Sequence, residues 1–297
     1  MNDDMTPGGI QDGALSRRAF AALSLAAGMA AASGIPSAGA AVAKVVEKDV
    51  AIKTPSGTCD AALIHPEGKG SWPAAIVFPD IFGLRPTMRD MAKRLAANGY
   101  TVLIPNPFYR ATKAPGIELN FDFASPTDRA KLASLREPLT NENVGQDAIA
   151  YIAYLDSLPV VNKKAKVGVF GYCMGGPMTM QAAAAMPGRI GGAASFHGGG
   201  LVTDKPESPH LLVPKIKAQY LFAIAANDDE RQPDAKTKLT EAFQAVKLPA
   251  KVEVYEGTQH GWCVKDMPMQ AGKPIYNEPQ AERAWGELEN LFKRTLV

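Results

Sequence analysis

Lys166-Val167-Gly168-Val169-Phe170-Gly171-Tyr172-Cys173-Met174-Gly175-Gly176 decides how the rest of the chain is read. A short apolar run turns abruptly through Gly-x-Cys-x-Gly into Pro177-Met178-Thr179-Met180-Gln181 and an alanine run, which reads as a helix. Strand, sharp turn and helix with a nucleophilic side chain on the turn is the "nucleophile elbow", here with Cys where Ser is more usual. Gly171 and Gly175 let strand and helix pass close without Cβ clashes. The N-terminus of the helix points at the sulfur, and its partial positive charge favours a thiolate.

Outward from the elbow, apolar runs alternate with amphipathic ones. Val45 to Ile64 reads as a β-hairpin turning at Pro55-Ser56-Gly57, with Cys59 on it as a structural thiol. Ala74 to Phe78 is a continuous apolar strand ending in Pro79-Asp80-Ile81-Phe82-Gly83. Met88, Met91, Ala92 and Leu95 mark a helix that stops at Asn98-Gly99, and Tyr100 to Ile104 is another strand. Residues 108–140 read as mostly irregular, the kind of long connection that forms a binding site or lid. Asn141 to Leu158 is helical, Ile190 to Phe196 is a strand ending at His197, and Ala218 to Ala226 is a strand ending at Asn227-Asp228-Asp229. Helix, strand and helix complete the chain, the last strand running into Gly257-Thr258-Gln259-His260-Gly261-Trp262. The fold class is therefore α/β, a single domain with a mainly parallel sheet and helices on both faces. Ligands of such sheets bind beyond the carboxyl ends of the strands, where Asp80, Cys173, Asp228 and His260 all fall.

Composition narrows the class. With 46% hydrophobic and 21% charged residues the chain is an ordinary globular protein. A net charge of +2 with scattered basic residues carries no nucleic-acid footprint. No mature segment is apolar enough to span a membrane. Three cysteines (Cys59, Cys173, Cys263) are too few for a disulfide framework, and no Cys/His spacing suggests a metal. His65 and His210 read as surface loop residues. Ser16-Arg17-Arg18-Ala19-Phe20, a weakly apolar stretch and Ala38-Gly39-Ala40 read together as a twin-arginine export signal over residues 1–40, cleaved after Ala40 or, alternatively, after Ala43. Residues 41–297 would be the mature domain, delivered by the twin-arginine translocon to the bacterial periplasm. That compartment is oxidising, so a disulfide between Cys263 and Cys173 is an open possibility.

The order nucleophile, acid, histidine suggests a triad in which Cys173 attacks a carbonyl carbon, His260 carries the proton and an aspartate orients His260. Asp228 is first past the strand end and is preferred; Asp229 is the alternative acid. The Met174 amide, one residue past the nucleophile, and the Ile81 amide are the expected oxyanion donors. His197 reads either as a substrate contact or as the anchor of its Gly-rich loop, and Trp262 as a further substrate contact.

Gly171-Tyr172-Cys173-Met174-Gly175-Gly176, Asp80-Ile81-Phe82-Gly83 and Glu256-Gly257-Thr258-Gln259-His260-Gly261 together resemble the dienelactone hydrolase family, the carboxymethylenebutenolidases, over about residues 46–295. The resemblance implies an α/β-hydrolase fold, no cofactor, and a Cys173–Asp228–His260 triad acting on a small ester or lactone. It also implies that Asp80 stands where an acidic residue contacts the resting thiol. Arg110, beside Tyr109, lies close to an arginine that grips a substrate carboxylate. Where the resemblance implies a second arginine, the chain has Val264. The mature protein is taken to act as a monomer. Thioesterase, acyltransferase and peptidase activities share this triad, and an inert binding protein on the same fold is the rival of another class.

Overall fold

The computed structural model describes residues 44–270 and 272–297, so the proposed export signal lies outside the described residues. One sheet of eight strands organises them. In chain order these are β1 (Val45–Thr54), β2 (Gly57–Pro66), β3 (Ala74–Phe78), β4 (Thr101–Pro105), β5 (Val167–Tyr172), β6 (Ile190–Phe196), β7 (Gln219–Ala225) and β8 (Ala250–Tyr255). The helices are α1 (Pro86–Ala97), α2 (Pro126–Arg136), α3 (Asn141–Ser157), α4 (Gly175–Ala185), α5 (Ala226–Arg231), α6 (Asp234–Ala245) and α7 (Glu278–Thr295).

The strand order is β1-β2-β4-β3-β5-β6-β7-β8. β1 pairs antiparallel with β2, and β2 with β4; every other pairing is parallel. Parallel strands require crossover connections, and the helices that supply them bury both sheet faces. That is why β3, β4 and β5 are buried along their whole length. One apolar cluster includes Val144, Ala148 and Ile152 of α3, Ala182 of α4 and Phe243 of α6. The other holds Met88 and Leu95 of α1 with Trp285, Leu288 and Phe292 of α7. A Cβ at Gly168 would collide with the Phe292 ring, so the strand is bare there to admit it. Burying a side chain of that size contributes about 1.5–3 kcal/mol.

The direction of succession reverses between β3 and β5: from β3 the chain passes to β4 on one side, and β5 lies on the other. Crevices form at the carboxyl ends of strands flanking such a reversal. The loop after β3 carries Asp80 and Ile81, and the turn after β5 carries Cys173.

Residues 108–140 are mostly irregular, as expected, with one helix the sequence did not announce: Pro126–Arg136 forms α2, and the Ser125 side chain caps it by accepting from the Asp128 amide at 3.3 Å. Only Leu132 and Leu135 of α2 are buried, too sparse a pattern to register as a helix face. His65 is not a loop residue; it lies on β2, buried, with its ring stacked on Trp72.

Candidate active site

Cys173 occupies the sharp turn between β5 and α4 with φ at 52°. L-residues rarely adopt this left-handed conformation, and it persists only where the surroundings over-determine it. They do here. A Cβ on Gly171 would strike the Gly175 carbonyl, and one on Gly175 would strike the Phe78 carbonyl at the end of β3. The Cys173 amide donates to Phe196 O at 3.1 Å, and its carbonyl accepts from Gly176 at 3.0 Å. The turn is therefore pinned from both neighbouring strands. Cys173 is partly exposed and packs with Ile81, Phe82 and Met174.

No side chain caps α4, and its first turn has no acidic residue, so its N-terminal field acts on the sulfur uncompensated. Among the described residues the amides of Met174 and Ile81 donate to no protein acceptor. Two unpaired donors beside a nucleophile suit a developing oxyanion.

His260 lies in the loop after β8. Its Nδ1 stands 2.6 Å from Asp228 Oδ2, which leaves Nε2 without a protein hydrogen-bond partner among the described residues. Burial works against charge on the imidazole, but the bond to Asp228 and the nearby Cys173 sulfur outweigh it and push its pKa up to about 10. Of the two adjacent carboxylates only Asp228 reaches the ring; Asp229 is 2.6 Å from Lys236. The strand β7 passes directly into α5, which turns Asp228 toward the His260 loop. Two residues that sequence reading missed fasten that loop. Asn227 Oδ1 accepts from the His260 amide at 2.9 Å, and Thr258 Oγ1 accepts from the Ala226 amide at 3.2 Å. Asn227 directly before the candidate acid and Thr258 two positions before the candidate base were the available signal.

Other expected site residues are used elsewhere. Asp80 is fully buried; its Oδ1 and Oδ2 take Arg85 at 2.7 and 3.0 Å, and Oδ1 also accepts from the Phe82 amide. Arg85 turns its remaining edge to Asp266 in two bonds of 2.8 Å. The Asp80 carboxylate is thus bound to Arg85 rather than to the thiol. Arg110 is closed on Asp147 of α3 by bonds of 2.7 and 2.9 Å, and Tyr109 Oη donates to the same carboxylate at 2.6 Å. The pair clamps the loop after β4 to α3, so Arg110 has no fork to offer a substrate. Trp262 is fully buried and stacks on Tyr255 at 4.7 Å, which removes it as a substrate contact. His197 is likewise fully buried. Cys173 and Cys263 both carry free thiols.

A cleft of about 560 Å³ opens beside Met174, walled by Leu139, Pro177, Met178 and Gln181, with Arg136 and Lys205 exposed at its edge. Met174 follows Cys173 directly, so the cleft borders the elbow, although Cys173 and His260 do not line it.

The model of the dienelactone hydrolase family matches residues 59–296. The chain belongs to the dienelactone hydrolase family. A Synechocystis sp. protein provisionally named a carboxymethylenebutenolidase is 29% identical over 238 residues, 79% of this chain and 91% of the relative. The carboxymethylenebutenolidase of Pseudomonas putida is 28% identical over 219 residues, 74% of this chain and 87% of the relative. Among solved structures, a Klebsiella pneumoniae protein described provisionally as a dienelactone hydrolase superposes with a TM-score of 0.72 at 22% identity. That alignment covers 84% of this chain and 99% of the other, and it shows the shared fold. The α/β-hydrolase architecture expected of a dienelactone hydrolase is the one this chain has.

Proposed function

We propose that this dienelactone hydrolase family member hydrolyses ester or lactone bonds through a Cys173–His260–Asp228 triad and a thioacyl-enzyme. The observation that carries the reading is a cysteine on a strained turn at an uncapped helix N-terminus, beside a histidine whose other nitrogen is held by Asp228 at 2.6 Å. The sulfur attacks the carbonyl carbon with its proton already held on His260. The carbonyl oxygen takes the charge beside the Met174 and Ile81 amides. Collapse expels the alcohol, which receives that proton from His260. Water then attacks the thioester, giving its proton to His260, and collapse expels the sulfur and releases the acid, leaving His260 protonated for the next turnover.

With Arg110 paired to Asp147, and valine at position 264, the reading favours neutral substrates over carboxylate-bearing ones. The cleft beside Met174 is their expected seat.

The test is hydrolysis by the reduced mature protein of dienelactone, neutral lactones, short chromogenic esters and a thioester, with Cys173→Ala alongside. Turnover that vanishes in the variant supports the reading, and turnover that persists removes it. A thioester preferred over every ester would reassign the chain to thioesterase chemistry.

The compartment belongs to the same proposal. Ser16-Arg17-Arg18-Ala19-Phe20 with Ala38-Gly39-Ala40 supports twin-arginine export to the periplasm. R17K/R18K should hold the protein in the cytoplasm, and N-terminal sequencing of exported protein should begin at Ala41.

A further inference from the structure

Behind the candidate base stands a second histidine that no step above uses. His197 follows β6 and is fully buried, and among the described residues neither ring nitrogen has a hydrogen-bond partner. Its φ is 41°. It therefore combines two unfavourable features, a left-handed backbone and an orphaned buried imidazole, each of which a different residue would avoid. Glycine would relieve the backbone and leucine the polarity. Neither would supply a flat ring at this spot.

The ring lies between two others. Its centroid is 4.7 Å from that of His260 at 71° between planes, and 5.9 Å from that of Tyr172 at 42°. The His197 amide donates to Ala223 O at 2.8 Å, carrying the β6–β7 pairing one residue past the strand and fixing where the ring leaves the backbone. Tyr172 is itself stacked on Phe196 at 5.2 Å, so the wall cannot retreat. His260 is thus held in its ring plane by Asp228 at Nδ1 and across the plane by His197.

We propose, building on the triad reading above, that His197 is a positioning residue for His260: an uncharged ring packed at near right angles that fixes the plane in which His260 addresses Cys173. The ionisable groups around this contact are consistent with it. His260 faces Cys173 from the β5 turn and Asp228 from α5; His197 faces Tyr172 from β5 and His260 from the loop after β8. Burial, and then the charge on His260, hold the His197 imidazole well below its ordinary pKa. An uncharged ring beside an imidazolium stabilises it; a second cation would repel it.

The experiment compares His197→Asn, which suits the left-handed backbone but lacks the ring, with His197→Phe, which keeps a ring without nitrogens. Iodoacetamide alkylation of Cys173 is followed from acid to alkaline pH on reduced protein, and kcat and KM are measured on p-nitrophenyl acetate. The Asn variant should alkylate roughly tenfold more slowly at neutral pH, with a displaced midpoint. Its kcat should fall by a similar factor while KM holds within about twofold, and the Phe variant should recover most of the loss. A folded Asn variant with the native alkylation profile and kcat would overturn the proposal. So would equal losses in two folded variants, which would assign the role to the nitrogens. A third measurement needs no variant: in 15N-histidine spectra His197 should still be neutral at pH values where a free imidazole is protonated, and protonation near 6.5 would overturn the proposal. Alkylation and spectra need no substrate. If no ester is turned over, the triad reading fails while these readouts still decide the role of His197.

Discussion

Two carboxylates, Asp80 and Asp228, each lie one short step beyond a parallel strand, and each holds a nitrogen cation or its precursor. They do opposite things. Asp80 is fully buried, binds Arg85 twice, shares that arginine with Asp266, and accepts from the Phe82 amide. Every strong donor there has an acceptor, so the cluster resembles a rivet between the β3 loop and the segment after β8. Asp228 is 20% exposed and makes one short bond to a ring that is itself 26% exposed. That leaves His260 Nε2 facing the thiol and open to substrate. The lesson is that short charged contacts alone do not mark a site. A reactive cluster keeps one hydrogen-bonding valency unfilled and reachable.

The largest expected effect tests the unfilled cluster at its centre. Cys173→Ala should lower kcat by about 10⁵-fold or more, with the denaturant midpoint nearly unchanged. Next comes the contrast between neighbouring acids. Asp228→Asn should cost roughly 10³–10⁴-fold in kcat, whereas Asp229→Asn, which only loses Lys236, should stay within about threefold. Comparable losses in the two would mean that the 2.6 Å contact to His260 does not define the acid.

The saturated clusters should respond in stability instead. Arg85→Ala strands two carboxylates, one fully buried, and should destabilise by about 3–5 kcal/mol in urea titrations. Arg110→Ala should cost less, about 1–3 kcal/mol, and should change KM equally for neutral and anionic esters. A selective rise in KM for anions would return Arg110 to the substrate.

The smallest effect separates the two histidines by pH. His260 moves from about 6.5 unfolded to about 10 folded. Its contribution to stability is complete below pH 6.5 and is lost as pH rises toward 10. His197 shifts downward, so its contribution is present above about pH 6.5 and is lost as pH falls below it. Asp228→Asn should flatten the alkaline slope of stability, and His197→Phe the acid slope. Unaltered slopes would mean these groups titrate alike in folded and unfolded chains.

Much of this is legible in the sequence alone. Apolar runs such as Ala74 to Phe78, punctuated by glycine and proline, announced buried parallel strands, and Gly171-Tyr172-Cys173-Met174-Gly175 announced the turn. The helix α2 was not legible because two buried leucines are too few to show a period. Trp262 looked like a site residue because it follows His260, yet Gly261, at φ 98°, lies between them, and the indole stacks on Tyr255 in the core.

The sequence by itself determined the sheet class, the elbow and the shortlist of acid and base, because strand runs and left-handed turns are set by residues within a few positions of each other. Only the tertiary structure decided which aspartate meets His260 and that Asp80 and Arg110 have other partners. Those contacts join residues far apart: 32 positions separate Asp228 from His260, 37 separate Arg110 from Asp147, and 181 separate Arg85 from Asp266. A carboxylate's chemistry is set by whichever donor the fold brings to it, and no local pattern in the chain encodes that meeting.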